Sequence, residues 1–170
     1  MIETAGVQAL LPHRYPVSLV DRVLSAVPGE RITAVKAVTC NEPCFAHDGP
    51  APPVEWFRYP ESLLVESWGQ VAGILAILTG RDAGRDVMAG KVMLLGSVSG
   101  VDFHAPVRPG DVVEHEVRLV REVTDTMIFE GHGRVAGKPV LSVTSAVMAL
   151  RPAETLRPAE GGIDEEGERP

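Results

Sequence analysis

Residues 59–78 read YPESLLVESWGQVAGILAIL, a run whose apolar residues leave almost no polar side. Pro60 falls at a first-turn position with Glu61 beside it, both favoured where a helix begins, and Gly80 marks the expected end. A helix apolar nearly all round has to be covered on every side, so this one is predicted to be a core rod rather than a surface element. Inside the run stand an acid, Glu66, and an amide, Gln70. Ser62, Glu66 and Gln70 follow at i, i+4 and i+8 and so share one face, a narrow polar seam. An unpartnered buried acid is costly. The seam is therefore expected to face a cavity, unless Glu66 meets an arginine or emerges at a subunit edge.

The flanking segments say what covers the rod. Downstream, KVMLLGSVSGVDFHAPV, DVVEHEVRLVREV, DTMIFEGHGRVAG and KPVLSVTSAVMALRP are strand-like, with β-branched or alternating apolar positions and Gly or Pro at their boundaries. VRPGD and VAGKP read as turns. Upstream, TAGVQALLPHRYP predicts a short helix stopped by Pro12 and Pro16, and VSLVDRVLSAV and RITAVKAVTCN flank a Pro-Gly turn as a hairpin. Between hairpin and rod lies EPCFAHDGPAPPVEWFRYP, whose five prolines predict a long loop. Loops of such length in compact domains are usually functional or disordered. Consecutive hairpins and a lone helix predict an α+β fold, an antiparallel sheet wrapped around one long central helix.

Composition narrows the functions. The chain has 170 residues, 45% of them hydrophobic, enough for one domain with its own core. A formal net charge of −7 argues against nucleic-acid partners. Glu66 and Gln70 interrupt the longest apolar run, so no membrane span is expected. The N-terminus shows no basic region followed by an apolar one, as a secretory signal would; a cytoplasmic location is expected. Cys40 and Cys44 make neither a disulfide framework nor a zinc site and are expected to be idle or buried thiols. Residues 153–170 hold six acids and two arginines without apolar periodicity. They are expected to form an acidic, disordered tail on a domain spanning 1–152.

Four words in order, LLPHRYPVSLVDRV (10–23), AVTCNEP (37–43), LLVESWGQVAGILA (63–76) and APVRPGD (105–111), make the chain resemble the 3-hydroxyacyl-[acyl-carrier-protein] dehydratases of the hotdog fold. The resemblance covers roughly residues 9 to 151. It implies that Glu66 is the catalytic acid of the central helix and Gln70 the amide one turn later. The family's histidine lies in a Gly-His-Phe-Pro-Gly word before the helix; here that loop reads FAHDGP, making His47 the corresponding candidate. His47 stands one position nearer NEP than in the family pattern, with Ala46 and Asp48 as neighbours. The stretch from His47 to Glu66 is a few residues longer, Tyr59-Pro60-Glu61 replaces Met-Pro-Gly, and Ala105 occupies a position where a basic residue is common.

The implied reaction removes water from a 3-hydroxyacyl thioester, and it needs a base for the C2 proton, an acid for the leaving hydroxyl and donors for the thioester oxygen. An imidazole titrates near working pH, which suits His47 as the base. Apolar surroundings raise a carboxyl pKa, which suits Glu66 as the acid. Backbone N–H groups at the helix start, near Pro60, Glu61 and Ser62, are the expected oxyanion donors, though Pro60 has none to give, and Tyr59 beside them is expected to bind or orient substrate. Trp56 and Phe57 either line an acyl tunnel or cap the core. His13, in PHRYP, is read as a structural turn residue, and His104, His115 and His132 as facing solvent or a partner. No metal or redox cofactor is implied, since the phosphopantetheine arm belongs to the acyl carrier protein. The resemblance also implies a dimer with the site at its interface, His-bearing loop and Glu-bearing helix coming from different subunits. Two other functions stay open: a non-catalytic or half-catalytic subunit of a heterodimeric dehydratase, for which the altered loop at His47 speaks, and thioester hydrolysis on the same fold.

Overall fold

A computed structural model describes residues 1–156. A short helix α1 (Thr4–Leu10) leads to a hairpin of β1 (Arg22–Val27) and β2 (Arg31–Ala37). A long connection carrying two 3-10 turns, Pro43–Phe45 and Val54–Phe57, then enters α2 (Glu61–Asp82). Four strands follow among the described residues: β3 (Lys91–Phe103), β4 (Val112–Val123), β5 (Thr126–Val135) and β6 (Lys138–Pro152). They form one six-stranded antiparallel sheet in the order β1-β2-β4-β5-β6-β3.

Turn chemistry sets the register. Gly29, at φ +78, makes the tight turn between β1 and β2, and its N–H donates to Thr79 Oγ1 at 2.8 Å, tying the hairpin to α2. The β5–β6 turn places Ala136 and Gly137 at φ 48 and 78, the twist that a two-residue hairpin loop needs. Register shifts between Leu119 and Arg121 on β4, and between Phe129 and Gly131 on β5, bend these strands. At Gly131 an added Cβ would collide with the Glu116 carbonyl and press on Trp68 Nε1, so only glycine lets the strands close there over the helix.

Helix α2 is the core rod the sequence predicts. Thirteen of its 22 residues are buried, with Trp68, Val71, Ile74 and Leu75 packed among Ile32, Phe129 and Leu141. By length and composition alone, an 18-residue window within Val54–Asp82 is apolar enough to cross a membrane, at mean hydropathy 1.4, but 72% of that window is buried inside the fold. The sheet covers one side of the rod. The other side is covered by the chain's own residues 11–20, among them buried Leu11, Leu19 and Val20.

That cover explains one departure from expectation. The run 17–27 reads as a strand, yet only Arg22–Val27 pairs in the sheet. Residues 17–19 bond instead to side chains of α2: Val17 O accepts from Gln70 Nε2, Leu19 N donates to Gln70 Oε1, and Leu19 O accepts from Ser67 Oγ. Backbone groups that a neighbouring strand would satisfy are satisfied by the helix. At the other end, Ala153–Leu156 form a 3-10 turn where an unstructured tail was expected to begin, and the rest of that tail lies outside the described residues.

Candidate active site

Glu66 is held by its own helix. Gln70 Nε2 donates to Glu66 Oε1 at 2.8 Å, the i,i+4 contact read from the spacing. Which way the Gln70 amide faces is fixed from behind. Its Oε1 accepts from Leu19 N at 3.0 Å and its Nε2 donates to Val17 O at 2.8 Å. A flipped amide would set its oxygen against the Val17 carbonyl and the Glu66 carboxylate and its NH2 against the Leu19 N–H, so the network admits one orientation.

The third member of the expected seam departs from it. Ser62 is exposed and makes no side-chain hydrogen bond among the described residues. The serine that α2 does use is the next buried one, Ser67. Its Oγ lies 3.2 Å from Leu19 O and 2.8 Å from His115 Nε2. His115 is correspondingly neither solvent-facing nor partner-facing. It is fully buried on β4, and burial first, then the charge of His132, pushes its pKa down to about 3. With Ser67 donating to Leu19, the proton of neutral His115 belongs on Nε2, and buried Nδ1 is left a bare acceptor.

Glu66 opens onto a recess of about 200 Å³ walled by Leu11, Ile77, Met88, Met93, Leu95 and Met148. Its floor is the helix face on which Gly69 and Gly73 follow Glu66. A Cβ on Gly73 would lie 3.6 Å from Met93 Sδ and 3.7 Å from Leu11 Cδ2, so the missing side chain is itself part of the opening. The carboxyl is less enclosed than the apolar run implies: the Glu66 side chain is 43% exposed within the protomer, because the two glycines offer it no wall.

The recess also contains His13, whose Nε2 stands 3.6 Å from Glu66 Oε1. The turn reading of PHRYP therefore misses its position. Fifty-three residues separate His13 from Glu66, and no periodicity relates a pre-strand loop to a helix face. Only the fold brings them together.

The remaining expected site residues lie elsewhere in the protomer. Tyr59, Pro60 and Glu61 line a second recess of about 420 Å³ with Arg58, Leu64, Phe103, His104 and Val107. Pro60 is the N-cap of α2 and supplies no side-chain cap. Tyr59 is tied by its backbone N–H to Val107 O at 2.8 Å, and burial, then Glu42, holds its phenol well above the usual tyrosine range. Beneath it, Lys36 and Glu42 form a buried pair at 2.8 Å that sequence reading did not single out. Phe57 packs on Phe45, ring centroids 5.9 Å apart, and so caps the core. Trp56 is half exposed, edge-on to the His47 ring at 6.5 Å.

His47 itself is exposed, Nδ1 lying 3.3 Å from Phe45 O, and it lines neither recess. One protomer thus joins Glu66 with Gln70, and His47 with Trp56, but not the two pairs with each other. Cys40 is exposed and Cys44 half-buried, both as free thiols. Among the described residues, no three His, Cys, Asp or Glu side chains cluster as metal ligands.

One long core helix wrapped by an antiparallel sheet, its carboxyl opening into an apolar recess, defines a hotdog-fold protein. The sequence matches the FabA-like domain family over residues 11–144, and the chain belongs to that family. Its curated relatives include two proteins named 3-hydroxyacyl-[acyl-carrier-protein] dehydratase FabZ. That of Granulibacter bethesdensis is 38% identical over 154 residues, covering 90% of this chain and 85% of its own. That of Geobacter metallireducens is 40% identical over 132 residues, covering 78% and 83%. Among solved structures, the dehydratase heterocomplex ApeI:P from Xenorhabdus doucetiae superposes with a TM-score of 0.71 at 15% identity, over 87% of this chain and 92% of that one. A mutant thioesterase from Pseudomonas aeruginosa gives 0.61 at 16%, over 88% and 94%. At such identities these two likenesses are of fold alone.

Proposed function

We propose that the protein is a hydro-lyase that removes water from a 3-hydroxyacyl thioester carried on acyl carrier protein, giving the 2-enoyl thioester for fatty-acid or polyketide synthesis. The observation that carries this reading is the Glu66 carboxyl, oriented by a locked amide at the mouth of an apolar recess, in a chain of the FabA-like family. The acyl tail occupies the recess between Met93, Leu95 and Met148, and Glu66 protonates the leaving hydroxyl. The electron pair of the C2–H bond becomes the new double bond, and the C3–O pair departs with water.

The C2 base is assigned to His47 of a second subunit. Within one protomer His47 stands apart from the Glu66 recess, so the reading requires a dimer. Supporting this, β3 ends the sheet as an edge that no strand among the described residues pairs, with Leu95 48% exposed, a surface that invites another chain. The oxyanion donors are the first-turn amides of α2 near Glu61 and Ser62. The reading keeps the cytoplasmic location expected from the sequence and calls for no cofactor beyond the carrier's own arm.

The exposed position of His47 also favours a second reading, a subunit whose partner supplies the imidazole. One experiment separates all of these. The purified protein is given a 3-hydroxyacyl thioester and the products are resolved. Enoyl thioester from the homodimer, lost in His47→Ala, supports the first reading. Activity only with a co-expressed partner, unaffected by His47→Ala, supports the second. Free acid as product overturns both in favour of hydrolysis.

A further inference from the structure

Two nitrogen donors converge on one oxygen of Glu66. Gln70 Nε2 lies 2.8 Å from Oε1, and His13 Nε2 lies 3.6 Å from the same atom, an electrostatic contact just beyond hydrogen-bond length. Among the described residues Oε2 accepts no hydrogen bond. A single segment arranges this asymmetry. Arg14 Nη1 donates to Leu11 O and to His13 O, both at 2.7 Å, fixing the backbone on either side of His13. A few residues on, Val17 O and Leu19 N clamp Gln70.

The tautomer of His13 follows from its surroundings. Nδ1 is buried without a partner. A buried N–H left bare costs more than a bare lone pair, so the proton of the neutral ring sits on Nε2 and faces the carboxyl. Both nitrogens then present hydrogen to Oε1. A carboxyl proton placed on Oε1 would meet them head-on, whereas on Oε2 it meets no hydrogen-bond donor among the described residues.

We propose that His13 is a positioning residue for dehydration: with Gln70 it loads Oε1 of Glu66, so that the transferable proton is carried on Oε2, the oxygen left free for substrate. This rests on the functional reading above. In the step itself the Oε2 proton passes to the substrate hydroxyl, water leaves with the C3–O electron pair, and the C2 proton goes to the separate base. The charge left on Glu66 meets the two donors already in place at Oε1, so no reorganisation is needed as it forms.

The test compares His13→Phe, which keeps bulk and removes the donor, with His13→Gln, whose amide reaches toward Oε1. His13→Phe should lower kcat roughly 10- to 100-fold with KM within about threefold, and His13→Gln should recover most of the loss. If His13→Phe fails to fold, His13→Asn takes its place, its shorter amide falling short of Oε1, with kcat again expected well below that of His13→Gln. An undiminished kcat in the donor-less variant, or equal losses in both folded variants, overturns the proposal. Should wild-type protein turn over no thioester, the functional reading fails separately. Crystal structures then decide on His13 alone: the carboxyl of Glu66 should turn from its wild-type rotamer in His13→Phe, and an unmoved carboxyl overturns the assignment.

Discussion

The amide of Gln70 spends one hydrogen on Val17 O and the other on Glu66 Oε1, while its oxygen takes the Leu19 N–H. Every polar atom of that side chain is used, and the catalytic candidate is aimed by a group that cannot turn. The same contacts fasten the N-terminal segment across the rod, so site and fold share one fixture.

Removing the fixture should therefore cost both. Gln70→Ala leaves the buried Leu19 N and the part-buried Val17 O without their partners, a loss of about 1–3 kcal/mol in denaturant unfolding. Its kcat should fall as well, because Glu66 loses its 2.8 Å donor. A variant with native stability and native kcat would show that the clamp is idle.

His115 should make the fold acid-sensitive. Its native pKa of about 3 lies below the ordinary 6.5, so between those values the unfolded chain binds a proton that the native one refuses. Stability from this group is fully present above pH 6.5 and declines as pH falls toward 3, by at most about 1.4 kcal/mol per pH unit. His115→Phe should flatten that part of the stability-against-pH curve. The check is chemical unfolding at several pH values, and an unchanged slope refutes the assignment.

Gly73 sets the room beside Glu66. Gly73→Ala adds a Cβ at ordinary contact distance from Met93 and Leu11 and removes a mid-helix glycine, so it should fold at least as stably as wild type, gaining up to about 1 kcal/mol. Gly73→Leu should plug the recess, raising KM for long acyl thioesters far more than for short ones. Equal effects on all chain lengths would place the tail elsewhere.

Gly131→Ala should prevent folding, or destabilise by at least about 3 kcal/mol, since the new Cβ meets the Glu116 backbone carbonyl rather than a movable side chain. Soluble expression and thermal melting read the outcome.

The architecture was legible because period and punctuation agree. The long apolar run, broken only by its narrow polar seam, announces α2, and Gly and Pro delimit the strands around it. Gln70 beside Glu66 was legible too, since i,i+4 spacing alone makes them touch. His13, Ser67 and His115 were not. Each meets its partner across about fifty residues, a relation that local patterning does not encode. Nor did the run 17–27 reveal that its first residues bond to helix side chains rather than to a strand, because both arrangements ask for the same extended, apolar segment. The openness of Glu66 was equally hidden: its helix neighbours are apolar, but two of those on its own face are glycines and wall nothing off.

The central claim is that the helix carboxyl delivers the proton in a dehydration. Glu66→Gln keeps the shape and removes the acid, and the direct measurement is its kcat for conversion of a 3-hydroxyacyl thioester to the enoyl thioester. A fall of at least about 100-fold in a protein that melts like wild type is the predicted result. A folded Glu66→Gln protein with wild-type turnover would contradict the account.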